Sequence, residues 1–254
     1  MKMHILDAGR LAMKKRIYVP ECTDKTEMIE LPVMAILLRH KDANILFDTG
    51  YHTQVITDAE GRWGPLARAM QVIGTPENNV IDSLKAVGLE PEDIDIVVNS
   101  HFHPDHAGCN EFFTNARVVV HEKELAAARS EEGAALGLMP EDWDHPMTME
   151  TVTEGHDLMG DGSIITIDLP GHTPGLMGLK VQLENTGTVL LVSDAVNLRR
   201  NLDNDEVPKN AWDADVVLAS YEKVRKLEAE GGTLICCHDD EQYNALKKGA
   251  DAYD

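Results

Sequence analysis

Basic residues are scarce in this chain: 23 Lys and Arg stand against 44 Asp and Glu, a formal net charge of -21 over 254 residues. With no basic surplus to displace counterions from phosphates, nucleic acid is disfavoured as a partner. Long apolar runs are missing too. None approaches the ~20 residues that span a bilayer. The start, Met1-Lys2-Met3-His4-Ile5-Leu6-Asp7, meets an acid before any secretory h-region can form. A cytoplasmic protein without a membrane role is expected. Cysteine is limited to Cys22, Cys109, Cys236 and Cys237, and the adjacent pair cannot make an ordinary disulfide. They are expected to be buried free thiols. No linker and no solenoid-length repeat interrupts the chain, so residues 1–254 are expected to form one α/β domain.

What the chain does have is histidine in unusual places. His101-Phe102-His103-Pro104-Asp105-His106-Ala107-Gly108 follows the β-branched run Ile96-Val97-Val98-Asn99-Ser100, so it reads as a loop leaving a buried strand. Three imidazoles and a carboxylate in six residues match no helix stripe, and Pro104 disfavours a helix interior. Neutral imidazole and carboxylate oxygen are the donors that zinc and similar divalent ions take. Three later positions share the pattern of a polar residue at or just past the end of an apolar run: His172 after Ile164–Ile167, Asp194 after Val189–Ser193, and His238 after Leu234–Cys237.

Elsewhere the pattern alternates strands with helices. The first ten residues read as a strand, and 34–39 with 44–47 as a pair turning at Lys41–Asn44. Residues 79–87 and 213–229 carry apolar side chains at helical spacing, and Gly88 and Gly231-Gly232 follow them as stops. Residues 11–31 show no clean period and read as a surface excursion or a lid. Residues 130–160, acidic and carrying Met139, Trp143, Met147 and Met149, read as a helical insertion between two halves. The histidines outside the motifs, His4, His40, His52, His121, His145 and His156, are expected at the surface or in turns.

Taken in order, HxHxDH, Gly171-His172-Thr173-Pro174-Gly175, Asp194 and His238 resemble the metallo-β-lactamase superfamily, with Phe47-Asp48-Thr49-Gly50 as its early strand end. Leu31-Pro32-Val33, Asn99-Ser100-His101-Phe102-His103 and Asp205-Glu206-Val207-Pro208 look most like its N-acyl-homoserine lactonase branch. The resemblance implies an αβ/βα four-layer sandwich and two divalent metal ions, zinc first, with iron, manganese or cobalt as alternatives. It implies that His101, His103 and His172 hold one ion, that Asp105, His106 and His238 hold the other, and that Asp194 bridges. Asp48 would orient a ligating histidine from behind. The implied activity is opening of a lactone ring by metal-bound hydroxide, with Asp105 carrying the proton to the departing alkoxide.

An acyl-homoserine lactone is the first candidate substrate. A pyridoxolactone-type lactone, a thioester and a β-lactam are the alternatives. A neutral lactone also suits a strongly acidic protein. Two positions depart from the lactonase pattern. Asn197 stands where those enzymes carry a tyrosine three residues past the bridging aspartate, and its amide is the group expected to donate in the phenol's place. Leu176 stands where the family often has another histidine. The sequence leaves oligomeric state open.

Overall fold

The apolar runs fold as strands of two sheets in a computed structural model that describes residues 1–254. The larger sheet is built on β1 (Lys2–Lys14) and β2 (Met28–Arg39), a long antiparallel pair whose register shifts between Asp7 and Gly9. Strand β3 (Asn44–Phe47) returns antiparallel to β2, and β4 (Gln71–Val72) lies outside β1. Strands β5 (Ile96–Val98), β6 (Arg117–His121) and β7 (Met149–Val152) then add in parallel. All three residues of β5 are buried, as a strand covered on both faces requires. In the smaller sheet β8 (Ile164–Asp168), β9 (Met177–Leu183) and β10 (Gly187–Leu191) are antiparallel, and β11 (Thr233–Ile235) joins β10 in parallel.

Three cores stack these sheets and their helices into four layers. Between the sheets, Ile5, Ile36, Phe47 and Val98 meet Leu179, Val181, Val189 and Leu191. On the outer face of the larger sheet, Val80 and Leu84 of helix Val80–Ala86 join the core with Leu6, Leu46 and Val97. On the outer face of the smaller sheet, Val217, Tyr221 and Val224 form one stripe of helix Ala214–Ala229 against Ile167, Leu190 and Leu234. Both helices begin at a side-chain cap: Asn79 Oδ1 accepts the Asp82 N–H at 2.9 Å, and Asp213 Oδ1 accepts from Asp215 at 3.0 Å and Val216 at 3.1 Å. Each cap stabilises its helix by about 1 kcal/mol. No helix is long and apolar enough to cross a membrane.

The architecture is the expected αβ/βα sandwich, with local corrections. Strand β1 continues past Arg10 because Leu11, Ala12 and Met13 pair with Leu31, Glu30 and Ile29, so the excursion from the sheet shrinks to 15–27 and opens with the short helix Lys15–Tyr18. Residues 130–160 are mostly not helical. They hold the four-residue helix Pro140–Trp143 and then β7, because Gly137, Pro140 and Pro146 interrupt the segment before a longer helix can form. Arg62 Nη2 donates to Asp142 Oδ1 at 2.6 Å, tying helix Val55–Trp63 to this segment. Burial, opposed by that pairing, pushes the Asp142 carboxyl up to about 6.

Five side chains lie in other surroundings than expected. Cys22 and Cys237 are only half-buried, and the Cys22 thiol donates to Glu27. His4, His52 and His121 are buried. His121 Nδ1 accepts the Lys123 N–H at 3.1 Å as the cap of helix Glu122–Ala128, and His52 Nδ1 accepts from Gln54 at 3.0 Å. His4, within β1, donates through Nδ1 to Gly249 O at 2.9 Å, and the other two rings serve turns that neighbouring elements cover, which residue type alone does not reveal.

Candidate metal centre

The C-terminal ends of β3, β5, β8, β10 and β11 open toward one edge of the sandwich, and the polar residues that follow them meet there. His101, His103 and His172 form one nest and Asp105, His106 and His238 a second. Asp194 lies between them. Its Oδ1 is 3.1 Å from His106 Nε2 and 3.2 Å from His238 Nε2, while its Oδ2 is 3.2 Å from His172 Nε2. Asp105 Oδ2 lies 3.7 Å from His106 Nε2 and 3.6 Å from His238 Nε2. All seven side chains named from the sequence as ligands are thus brought together.

Each nest is oriented from behind. Asp48, at φ 60°, sits in the left-handed region at the turn after β3 and aims its carboxylate inward. Asp48 Oδ1 accepts the Ser100 N–H at 2.8 Å. Its Oδ2 accepts the Ser100 hydroxyl at 2.8 Å and the His106 Nδ1–H at 2.9 Å. With the Ser100 hydroxyl spent on Asp48, His101 Nδ1 donates to Ser100 Oγ at 2.9 Å. Main-chain carbonyls do the same elsewhere: His103 Nε2–H donates to Leu136 O and His238 Nδ1–H to Pro32 O, both at 2.8 Å. A carbonyl only accepts, so these bonds fix the tautomer of each ring.

The tautomers decide what the centre can hold. His101 Nε2 and His103 Nδ1, 2.9 Å apart, both present lone pairs, and His172 Nε2 lies 2.8 Å from the same His103 Nδ1. His106 Nε2 and His238 Nε2 are buried with no hydrogen-bond partner. Buried lone pairs converging this closely repel unless a cation sits among them, so the residues fit two divalent ions. The charges agree. Burial pushes His101 well down and His172 down to about 3, keeping both neutral as ligands must be. Burial opposes charge on Asp194, yet His238, His106 and His172 hold it well below the usual carboxylate range. For His106 and His238 the cost of burial is outweighed by Asp194 and Asp105, and both rings are raised: the carboxylates around them favour a positive charge, which a bound cation would supply in place of the proton.

Two contributors carried no signal in the sequence. Glu124, with no exposed surface, accepts the Phe102 N–H through Oε1 at 3.1 Å, and through Oε2 the Thr173 hydroxyl at 2.7 Å and the Gly175 N–H at 3.1 Å. It ties the loop of His101 and His103 to that of His172. Gly175 permits this approach, since a Cβ there would lie 2.0 Å from the Glu124 nitrogen. Tyr18 is the second. It lines a cleft of about 320 Å³ together with Met13, Leu66, Met70, Leu136 and the ligand-set residues His103, Asp105, His172 and Asp194. Its ring meets that of His238 edge-on at 6.4 Å.

Asn197 is not where the sequence suggested. It is buried, does not line the cleft, and its amide Nδ2 reaches only Cys237 Sγ at 3.9 Å. The Cys237 thiol in turn donates to Asp194 Oδ1 at 2.9 Å. Leu176, the other departure, is fully buried in the core under helix Ala214–Ala229.

A shared carboxylate between two imidazole nests, at the strand ends of an αβ/βα sandwich, defines a protein built around a binuclear centre. The chain belongs to the metallo-β-lactamase superfamily, whose family model matches residues 28–238. It is 30% identical to the N-acyl homoserine lactonase AiiB of Agrobacterium fabrum, over 99% of this chain and 98% of that one. To an N-acyl homoserine lactonase of a Bacillus species it is 30% identical, over 97% and 96%. Among solved structures, an N-acyl homoserine lactone hydrolase with the product N-hexanoyl-L-homoserine at its catalytic metal centre superposes with a TM-score of 0.88 at 27% identity, covering 99% of this chain and 98% of that chain. The dizinc quorum-quenching lactonase AidC shares the fold, with a TM-score of 0.72 at 19% identity over 94% of this chain and 87% of that chain.

Proposed function

We propose that this protein is a quorum-quenching lactonase that opens the ring of N-acyl-homoserine lactones with two divalent ions, zinc first. The carrying observation is Asp194, whose two oxygens face the two nests and which also lines the cleft. When bound, two such ions bring the pKa of water toward ~7 and polarise a carbonyl oxygen. His101, His103 and His172 would hold one ion, Asp105, His106 and His238 the other, and Asp194 both.

The chain's own residues account for the remainder. Met13, Leu66, Met70 and Leu136 give the cleft an apolar wall suited to an acyl chain. Asp105 lines the same cleft, so its carboxylate is placed to take a proton from water and return it to the alkoxide that leaves as the ring opens. The net charge of -21 sets no barrier to a neutral lactone. The relatives named as lactonases, matched over nearly their whole length, support the substrate class.

Elemental analysis of purified protein, alongside proton release on adding short- and long-chain acyl-homoserine lactones, tests the proposal. About two ions per chain with turnover is the expected result. Two ions with turnover only of thioesters, β-lactams or other lactones would discard the substrate and keep the hydrolase.

A further inference from the structure

Among the residues lining the cleft, the side-chain donors outside the ligand set are few. Within that set, His103 has spent its free N–H on Leu136 O. Asn210 lies exposed at the rim, whereas Tyr18 is only 3% exposed. Tyr18 is also fixed in place: its carbonyl accepts the buried Asn201 amide at 2.8 Å, and its ring rests edge-on against His238. The hydroxyl has one partner, Met13 Sδ, at 3.0 Å. A thioether is a weak acceptor, so exchanging it for a carbonyl or ring oxygen gains more than it loses.

We infer that the Tyr18 phenol is the buried hydrogen-bond donor that meets a substrate oxygen in the metal cleft, releasing Met13 sulfur when substrate binds. This rests on the hydrolase reading above and not on the choice of lactone. The phenol acts as a hydrogen-bond donor only and takes no part in proton transfer. Its contribution is a donor held in place before the ester oxygen gains charge.

The test compares Tyr18→Phe with Tyr221→Phe in metal-loaded protein, on whichever compound of a panel of homoserine lactones, other lactones, thioesters and β-lactams the wild type hydrolyses. Tyr18→Phe is expected to lower kcat on the order of 100-fold, with KM and bound metal close to wild type. Tyr221→Phe removes a buried phenol that lies outside the cleft and donates to Glu206 O at 3.2 Å, so its kcat should stay near the wild-type value. A Tyr18→Phe protein with wild-type kcat and full metal content overturns the inference, as does a Tyr221→Phe protein that loses as much as Tyr18→Phe.

A second readout does not need turnover or a folded Tyr18→Phe. In protein labelled with 3-fluorotyrosine, the ¹⁹F resonance that Met13→Leu displaces marks Tyr18. It should move on adding N-hexanoyl-L-homoserine, or the carboxylate product of whichever panel compound is hydrolysed. A resonance that ignores a saturating product also overturns the inference. Wild type that spares every homoserine lactone but hydrolyses another panel member removes the lactone assignment alone. Wild type that hydrolyses nothing removes both.

Discussion

The Oε2 atom of Glu124 accepts the hydroxyl of Thr173 at 2.7 Å, so a carboxylate with no exposed surface braces the loop that presents His172. Its other oxygen holds the Phe102 N–H between His101 and His103. Glu124→Gln replaces one acceptor oxygen by an N–H₂ facing donors. It should lower metal affinity at the first nest about 10- to 100-fold, read by competition with a chromophoric chelator. Stability should fall by roughly 1–3 kcal/mol in a denaturant melt.

Asp194→Ala removes the only carboxylate whose two oxygens face both nests. The variant should bind at least one ion fewer than wild type by elemental analysis and lose most hydrolysis. His103→Ala should do the same through the first nest. Chelation of the wild type should lower its melting temperature, and zinc at 100 times Kd should restore about 2.7 kcal/mol.

Asp142 supplies a pH dependence remote from the metals. Burial raises its folded-state value to about 6 from an ordinary 3.8. The folded protein therefore holds the proton more tightly, and this group's contribution to stability is present below pH 3.8 and lost as pH rises through about 6. At 1.36 kcal/mol per pKa unit, the loss is on the order of 3 kcal/mol. Most other carboxylates act in the opposite sense, so the signature is the difference between wild type and Asp142→Asn across pH 4 to 6. Equal slopes for the two proteins in urea melts would refute it.

Asn197→Tyr places a phenol in a buried position beneath Cys237, outside the cleft lining. Overpacking should cost about 1–3 kcal/mol with no gain on acyl-homoserine lactones. A gain in kcat would show that the side chain reaches the cleft after all.

The metal loops were legible because chemistry and position coincide in them. Few structures need five imidazoles and two carboxylates gathered in loops at or just past the ends of apolar runs. Asp48 was legible only through resemblance, since an aspartate before Thr49-Gly50 also reads as an ordinary turn. The strands and the two amphipathic helices followed from periodicity. Tyr18 and Glu124 did not, because a tyrosine in an aperiodic stretch and a glutamate in the first turn of a helix are unremarkable until the fold buries them. Asn197 misled for a related reason. Spacing from Asp194 places it in sequence, but the turn of Ser193–Ala195 carries its side chain beneath Cys237 rather than into the cleft. Residues 130–160 read as helix because the partner of β7 lies elsewhere in the chain, on β6.

Two of the five imidazoles take their orientation from the main-chain carbonyls of Pro32 and Leu136. No substitution deletes a carbonyl. Residues 32 and 136 can therefore exchange side chains over generations without disturbing the ring each one steers, provided the backbone keeps its course. Gly137 is the local exception: at φ +78° its missing Cβ would come within 3.3 Å of His103 Cδ2. Such a centre is inherited through chain path more than through residue identity, and this leaves the cleft wall beside it free to diversify toward new substrates while the ions stay where they are.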